Sequence, residues 1–230
     1  RKALNLLELT IGLVSEGQER IQISDANVMA AAHQKVAQYD KDGEQHYDII
    51  SAFIKSVRGG DPNGALYWLA RMLDGGESIR FIARRLIILA SEDIGNANPN
   101  ALLLATSAFQ ACDVIGMPEA RIILAQCTNY LATSPKSNAS YASMDAAIEA
   151  VRLHPDLPVP MHLRNAPTRM MKNMGYGDGY KYSHSFTDEE SRQDYLPEAL
   201  RGTRLYEPKM IGKEKEIKQF LQLKWGDWFV

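Results

Sequence analysis

The stretch Ser56-Val57-Arg58-Gly59-Gly60-Asp61-Pro62 carries the signals for the end of one helix and the start of the next. Two consecutive glycines end a helix because glycine reaches the left-handed conformation that commonly follows the last helical turn. Asp-Pro then begins a new helix, since the carboxylate accepts from free backbone N–H groups and proline at the first helical position has no N–H to leave unpaired. This stretch therefore predicts two helices joined by a short turn.

Apolar residues recur at helical spacing on both sides of this turn, through most of the first 153 positions. Further helix breaks lie at Gly17, Gly75-Gly76, Asn98-Pro99 and Pro118. Between the breaks, the apolar stripes begin at Leu4, Val28, Ile50, Leu66, Ile79, Leu102, Ile123 and Met144. The sequence therefore predicts an all-α fold built from antiparallel helical hairpins.

The composition of the sequence changes at His154. Four prolines in the fourteen residues from there prevent any long helix. A short helix fits between Pro167 and Gly175. Glycines and tyrosines over residues 176–186 alternate weakly with other residues, a pattern that allows one small β-hairpin. Apolar residues at helical spacing over residues 210–223 predict a final helix.

The charge balance and the cysteines limit the classes of function. Lys and Arg number 26 against 28 Asp and Glu, a net charge of -2, so the chain is not a polycation that coats nucleic acid over its whole surface. Any basic surface must be local. Cys112 and Cys127 lie in apolar helical sequence without companions at metal-ligand spacing, as expected of reduced core residues in a cytoplasmic protein. We find no signal peptide and expect no membrane partner.

No catalytic motif can be recognised from the residues. The sequence contains no Gly-x-x-x-x-Gly-Lys-Ser/Thr loop, nucleophile elbow, His-Glu-x-x-His or Cys-x-x-Cys motif. The five histidines are scattered, so we predict neither a catalytic group nor a metal site within these 230 residues. The hypothesis that we favour least is that the protein is a small hydrolase with an unrecognised active site.

A charged cluster near the end of one apolar helix predicts structural ion pairs. Arg84 and Arg85 precede Glu92 and Asp93 by about two helical turns. The spacing suits an ion-paired network and helix capping better than a catalytic dyad. We therefore interpret these four residues as structural.

A second cluster combines basic and aromatic side chains between His162 and Tyr182. Cations neutralise phosphates and aromatic rings stack on bases, so such a mixture suits single-stranded nucleic acid. The candidate DNA contacts are Arg164, Arg169, Lys172, Lys181, Tyr176 and Tyr180. The residues favour the alternative, in which this cluster is structural. The tyrosines would then pack the irregular segment against a helical core, and the arginines would donate hydrogen bonds to free backbone carbonyls.

Several ordered motifs resemble one family across nearly the whole chain. The resemblance is to the C-terminal half of the RarA/MgsA family of clamp-loader-like AAA+ ATPases, which includes the Werner-helicase-interacting protein. It rests on 56–62 with 65–71, on 83–95, and on Pro135-Lys136-Ser137-Asn138-Ala139, 162–168, Gly175-Tyr176-Gly177 and Tyr195-Leu196-Pro197-Glu198. Residues 187–190 and 210–213 depart from the family pattern.

The resemblance implies where the chain divides into domains and how copies of the protein assemble. It makes Arg1 the sensor 2 arginine of the ATPase module, where a permanent charge beside the terminal phosphates reports the nucleotide state. Residues 1–38 would be the remnant of the small helical lid domain. Residues 39–230, with a subdivision near 75, would form a collar-like helical domain that assembles a homotetramer. The aromatic tail with Trp225, Trp228 and Phe229 would dock on a neighbouring subunit or on its own core.

The resemblance also implies what a longer parent protein does. The parent would bind ATP and magnesium, hydrolyse ATP in response to DNA ends or gaps, act at stalled replication forks, and associate with single-stranded DNA-binding protein and the nucleoid. The chain itself has no Walker motif, so we expect no cofactor and no ATP hydrolysis in this fragment. The alternative function is a free-standing helical adaptor that binds another protein and has no ATPase module.

Overall fold

The computed structural model describes residues 7, 10–11, 23–29, 44–187 and 189–226. Every regular element within these residues is helical, and none of them lies in a strand. The predicted all-α fold class is therefore confirmed. Across the same residues, no helix is both long and apolar enough to cross a membrane.

The helices follow one another with short connections in the first two thirds of the chain. Residues 25–29 are helical. The α-helices that the structure describes from residue 44 onward are α1 Glu44–Gly59, α2 Pro62–Asp74, α3 Ile79–Leu89, α4 Asn100–Ile115, α5 Ala120–Thr133, α6 Ala139–Leu153, α7 Arg169–Asn173 and α8 Glu214–Trp225. A π turn covers Ala90–Ile94, and 3-10 turns cover Gly95–Ala97, Met161–Leu163, Ser183–Ser185 and Glu198–Leu200.

The turn between α1 and α2 has the predicted chemistry. The Asp61 carboxylate accepts a hydrogen bond from the Asn63 N–H at 2.9 Å, and Pro62 is the first helical residue. Gly60 adopts a φ of 82°, which a residue with a side chain rarely reaches. The helical hairpin predicted from this stretch is therefore confirmed.

The chain forms two compact units. The first unit comprises Arg1–Ile87 and Leu104–Thr133, and the second comprises Ile88–Leu103 and Ser134–Val230. In the first unit, α1, α2 and α5 pack against one another around an apolar core. The fully buried side chains of that core include Phe53, Val57, Met72, Leu124 and Leu131.

The two cysteines belong to the first unit and are buried and unbridged. Burial raises the pKa of the Cys127 thiol to about 12, and it also raises the pKa of the Cys112 thiol. Thiols in this state are not nucleophilic near neutral pH. Their predicted role as reduced core residues is confirmed.

In the second unit, α6 packs against the π turn and the 3-10 turn that follows it. Helical periodicity alone did not predict this π turn. It ends at Gly95, whose φ is 50° and whose N–H donates to the Ala90 carbonyl. A side chain at Gly95 would contact the Ser137 carbonyl, so the residue also allows two backbone segments to approach closely.

A buried carboxyl group joins the start of α6 to the start of α8. The Glu214 side chain is completely buried, and its Oε2 accepts from the Ser137 hydroxyl at 2.7 Å and from the Lys209 N–H at 2.8 Å. Ser137 Oγ also accepts from the Ala139 N–H at 3.2 Å, as expected of a residue that opens a helix. The Asn138 side chain instead accepts from Lys209 Nζ at 2.5 Å.

The final helix begins at Glu214, four residues later than its apolar pattern predicted. Gly212 has a φ of 51°, which interrupts the helical path. The next residue, Lys213, donates its N–H to the Ala97 carbonyl at 2.9 Å. A long-range backbone contact therefore sets the start of this helix, and local periodicity cannot report such a contact.

The irregular segment confirms one prediction and corrects another. The short helix after Pro167 exists as α7, and Thr168 caps it by accepting from the Met171 N–H at 3.2 Å. The β-hairpin that the sequence allowed over residues 176–186 is wrong. Turns at positive φ and one 3-10 turn occupy this segment, because three alternate glycines reverse the chain repeatedly: Gly175, Gly177 and Gly179.

Replacing Gly212 with alanine tests how closely residues 97 and 212 approach. A Cβ at position 212 would lie 2.2 Å from the Ala97 carbonyl oxygen, so one of the two segments must move. Gly202→Ala is the matched control, because Gly202 has a φ of 79° and no atom within 4 Å of its virtual Cβ. In each variant, backbone strain should lower the free energy of unfolding by about 1 kcal/mol. Gly212→Ala should lose roughly 2 kcal/mol more in urea denaturation, and equal losses in the two variants would contradict the contact.

Candidate nucleic-acid interface

The basic and aromatic segment forms one side of an open cavity in the second unit. The cavity has a volume of about 680 Å³. Apolar residues such as Pro158 and Leu196 share its lining with the charged side chains of Arg164, Lys181, Arg201 and Asp194. The structure therefore brings together two of the four predicted cations, Arg164 and Lys181.

Arg164 and Tyr176 contact each other directly. The guanidinium lies 5.2 Å from the centre of the tyrosine ring, and its Nη1 donates to the tyrosine hydroxyl at 3.3 Å. Its Nε donates to the Val159 carbonyl at 2.7 Å. This pair holds irregular chain in place through a cation–π contact and a carbonyl bond, as in the structural alternative.

Lys181 is also engaged by its own chain. Its Nζ donates to the Arg192 carbonyl at 3.2 Å. Its backbone pairs with the buried Gln193 side chain, which accepts from the Lys181 N–H at 3.1 Å and donates to the Lys181 carbonyl at 2.8 Å. Lys181 therefore fastens one loop to another, and replacing it would disturb the fold.

Arg169 and Lys172 lie elsewhere, on the short helix α7, and both are exposed. Neither side chain makes a hydrogen bond or ion pair with any residue that the structure describes. Tyr180, also exposed, lies in the loop before Lys181. These three residues are the members of the predicted set that remain available to a ligand.

Sequence reasoning missed the polar contacts that build the far side of the cavity. Arg201 pairs with the Asp194 carboxylate at 2.7 Å, and the His162 ring Nε2 lies 2.7 Å from the Asp194 carbonyl oxygen. The Arg192 guanidinium donates to the Lys224 carbonyl and, at 3.1 Å, to the Leu223 carbonyl. The only sequence signal near them is the motif at 195–198, because the contacts of His162 and Arg192 join residues about thirty positions apart.

The charged cluster predicted near the end of one apolar helix is divided between α3 and the π turn. Arg84 and Arg85 lie on α3, and Glu92 and Asp93 lie in the π turn, with Asp93 buried. Burial lowers the pKa of Lys136, while the Asp93 carboxylate acts in the opposite direction. Asp93 is thus electrostatically coupled to a lysine of the second unit. The predicted pairing of the two arginines with the two carboxylates stays a prediction.

Residues 44–187 and 189–226, with the short described stretches before them, contain no cluster of three His, Cys, Asp or Glu that could hold a metal ion. Arg1, predicted as the sensor 2 arginine, lies outside the described residues, as do Trp228 and Phe229.

Comparison with known families covers almost the whole chain. Residues 59–225 match the family described as the C-terminal region of the MgsA AAA+ ATPase. Residues 1–58 match the family described as an AAA C-terminal domain. The two matches meet at the glycine pair from which the helical hairpin was predicted.

Curated relatives agree with these families. Replication-associated recombination protein A of Coxiella burnetii is 44% identical over 96% of this chain and 51% of its own length. The protein of the same name from Escherichia coli K12 is 40% identical over 96% of this chain and 50% of its own length. The ATPase WRNIP1 of Dictyostelium discoideum is 46% identical over 75% of this chain and 20% of its own length. The chain thus spans about half the length of the bacterial relatives, and its match over residues 59–225 shows that it belongs to the RarA/MgsA family of AAA+ ATPases.

Proposed function

We propose that this chain is the lid remnant and oligomerisation region of a RarA-like ATPase, and that its function is to assemble four copies of the parent protein. The observation that supports this lies beyond Ala139. The buried residues described there are Ser191, Gln193, Pro208 and Glu214. No large apolar side chain that the structure describes in that stretch is buried.

A segment of this length normally packs its apolar side chains into a core. Here polar contacts hold the segment together, and many of its large apolar side chains are exposed on helices and loops. Examples are Val151, Leu153, Met170 and Tyr182. Exposed apolar surface of this extent is typical of a protein that buries it against another subunit.

The parent protein would supply the chemistry. In this proposal it binds ATP and magnesium through a nucleotide-binding module outside the 230 residues, and residues 1–38 are the remnant of that module's lid. It would hydrolyse ATP in response to DNA and act at stalled forks in the cytoplasm, at the nucleoid, with single-stranded DNA-binding protein. The names of the curated relatives, which refer to replication and recombination, support the fork assignment.

The alternative is a helical adaptor without an ATPase module. The two readings differ in what the native gene encodes upstream of Arg1. A phosphate-binding loop in the same reading frame would exclude the adaptor, whereas a gene that encodes only this helical region would exclude our proposal.

Light scattering on the purified chain tests the assembly directly. We expect a mass four times that of the single chain, because exposed apolar surface beyond residue 139 is covered only when copies associate. A stable monomer at tens of micromolar would contradict the proposal. A far-UV circular dichroism spectrum that stays unchanged on dilution would serve as the control that the helical fold of the chain persists.

A second candidate function is contact with DNA through α7. Arg169 and Lys172 are exposed cations without a partner among the described residues, and the exposed Tyr180 offers a ring on which a base can stack. Arg164 and Lys181 are excluded as test sites because their side chains bond backbone carbonyls.

The double variant Arg169→Glu with Lys172→Glu tests this contact. We expect its affinity for labelled oligothymidylate, measured by fluorescence anisotropy, to fall tenfold or more, and the slope of log affinity against log salt to decrease by about one to two. The matched control is Arg204→Glu with Lys215→Glu, which makes the same charge change at exposed residues of the same unit. Equal losses of oligothymidylate affinity in both double variants would show a general charge effect and would exclude α7 as a specific DNA contact.

The chain alone should not turn over ATP. It contains no Walker lysine and no phosphate-binding loop, and phosphoryl transfer depends on such groups to position the phosphates and the metal. A coupled assay with ATP and magnesium should give the rate of the buffer blank. Measurable turnover that follows the protein through gel filtration would overturn this part of the proposal.

A further inference from the structure

Helix α6 presents an apolar stripe to solvent. Tyr141, Met144, Ile148 and Val151 are 52%, 60%, 37% and 67% exposed. The helix packs against the π turn and the 3-10 turn of its own unit through a neighbouring face. The stripe is therefore left uncovered although the helix itself is held in place.

The spacing of these residues is that of a coiled-coil seam. The intervals between them are three, four and three residues, which are the intervals of successive a and d positions. This order reads the same from either end. A two-fold axis that crosses α6 between Met144 and Ile148 therefore superimposes the stripe of one copy on the stripe of another, as an isologous interface requires.

The side chains are complementary in size under this symmetry. In an antiparallel pair, Tyr141 of one copy faces Val151 of the other, and Met144 faces Ile148. Each layer then combines a longer side chain with a β-branched one. Alternation of this kind fills an interface without gaps, because a short side chain leaves room for the long one opposite.

The exposed area of the stripe supplies most of what such a contact needs. The four side chains expose about 400 Å² of one copy, so a symmetric pair would bury roughly 800 Å² from the stripe alone. Leu153, which is 66% exposed at the end of the helix, and the flanking parts of the helix raise this toward the ~1,000 Å² of a specific interface. A second copy of the chain therefore accounts for the stripe.

We infer that α6 pairs with α6 of a second copy, antiparallel across a two-fold axis, and that this pairing is one of the interfaces of the assembly. The inference rests on the proposed function. One two-fold interface gives a closed dimer, and a second one of a different kind converts dimers into a tetramer.

Met144→Lys tests the pairing. The side chain is exposed in the single chain, so the substitution should leave the fold intact, whereas in the pair it places a charge against Ile148 of the second copy. We expect the dissociation constant of this contact to rise roughly thirtyfold or more in sedimentation experiments, with an unchanged melting temperature for the dissociated chain. The matched control is Leu103→Lys on α4, where the native side chain is 67% exposed, precedes the segment beyond Ala139 and lies off the stripe.

A charge-swap variant tests the antiparallel direction. Met144→Glu combined with Ile148→Lys brings opposite charges together across the two-fold axis, whereas a parallel pair would bring like charges together. The double variant should regain much of the association that Met144→Glu loses alone. Absence of any recovery would overturn the antiparallel arrangement.

The outcomes separate this inference from the proposed function. If the unmodified chain is a tetramer and Met144→Lys leaves it a tetramer, the α6 pairing is wrong and the proposed assembly stands. If the unmodified chain is a monomer, the assembly itself is wrong and the pairing with it. If Leu103→Lys dissociates the assembly as strongly as Met144→Lys, the loss is not specific to the stripe and the pairing is overturned.

Discussion

The organisation of the second unit depends on the buried carboxyl group of Glu214. A buried carboxyl group is costly unless it is hydrogen-bonded. Oε2 of Glu214 accepts from the Ser137 hydroxyl and the Lys209 N–H, whereas its buried Oε1 has no hydrogen-bond partner among the described residues. These partners come from different parts of the chain, one just before α6 and the other just before α8. The contact thus fixes the starts of two helices at once.

Neighbouring contacts reinforce the same junction. The Lys213 N–H donates to the Ala97 carbonyl, and the Asn96 side chain donates to the Tyr206 hydroxyl at 3.2 Å. Burial raises the pKa of Tyr206, with a smaller contribution from the Glu214 carboxyl group, so this hydroxyl remains protonated near neutral pH. Polar contacts of this kind take the place of an apolar core beyond Ala139. Many large apolar side chains of that region are exposed, and our proposal assigns them to assembly.

The sequence predicted those features whose signals are local. Asp61 and Pro62 lie next to the backbone groups that they affect, and the short helix α7 begins at a threonine whose hydroxyl reaches only three residues ahead. Apolar periodicity likewise located the longer helices. Such signals act within one or two turns of chain, so no tertiary information is needed to interpret them.

Apart from the glycine turns over residues 176–186, most of the features that the sequence did not predict depend on distant residues. Ser137 and Glu214 are 77 positions apart, and the start of α8 is set by a carbonyl at Ala97. The role of Lys181 could not be assigned from composition. A lysine that binds DNA and a lysine that donates to a backbone carbonyl are the same residue type, so the sequence does not distinguish them. The structure divides the predicted basic cluster for this reason: Arg164 and Lys181 bond their own chain, whereas Arg169 and Lys172 are exposed.

A double-mutant cycle between Ser137 and Glu214 tests the central contact most directly. The free energy of unfolding would be measured for Ser137→Ala, for Glu214→Leu, and for the two together. Our account predicts a coupling energy of about 1–3 kcal/mol, because each single change deprives the other residue of its buried partner. Losses that add within about 0.5 kcal/mol would show that the two residues act independently and would contradict the account.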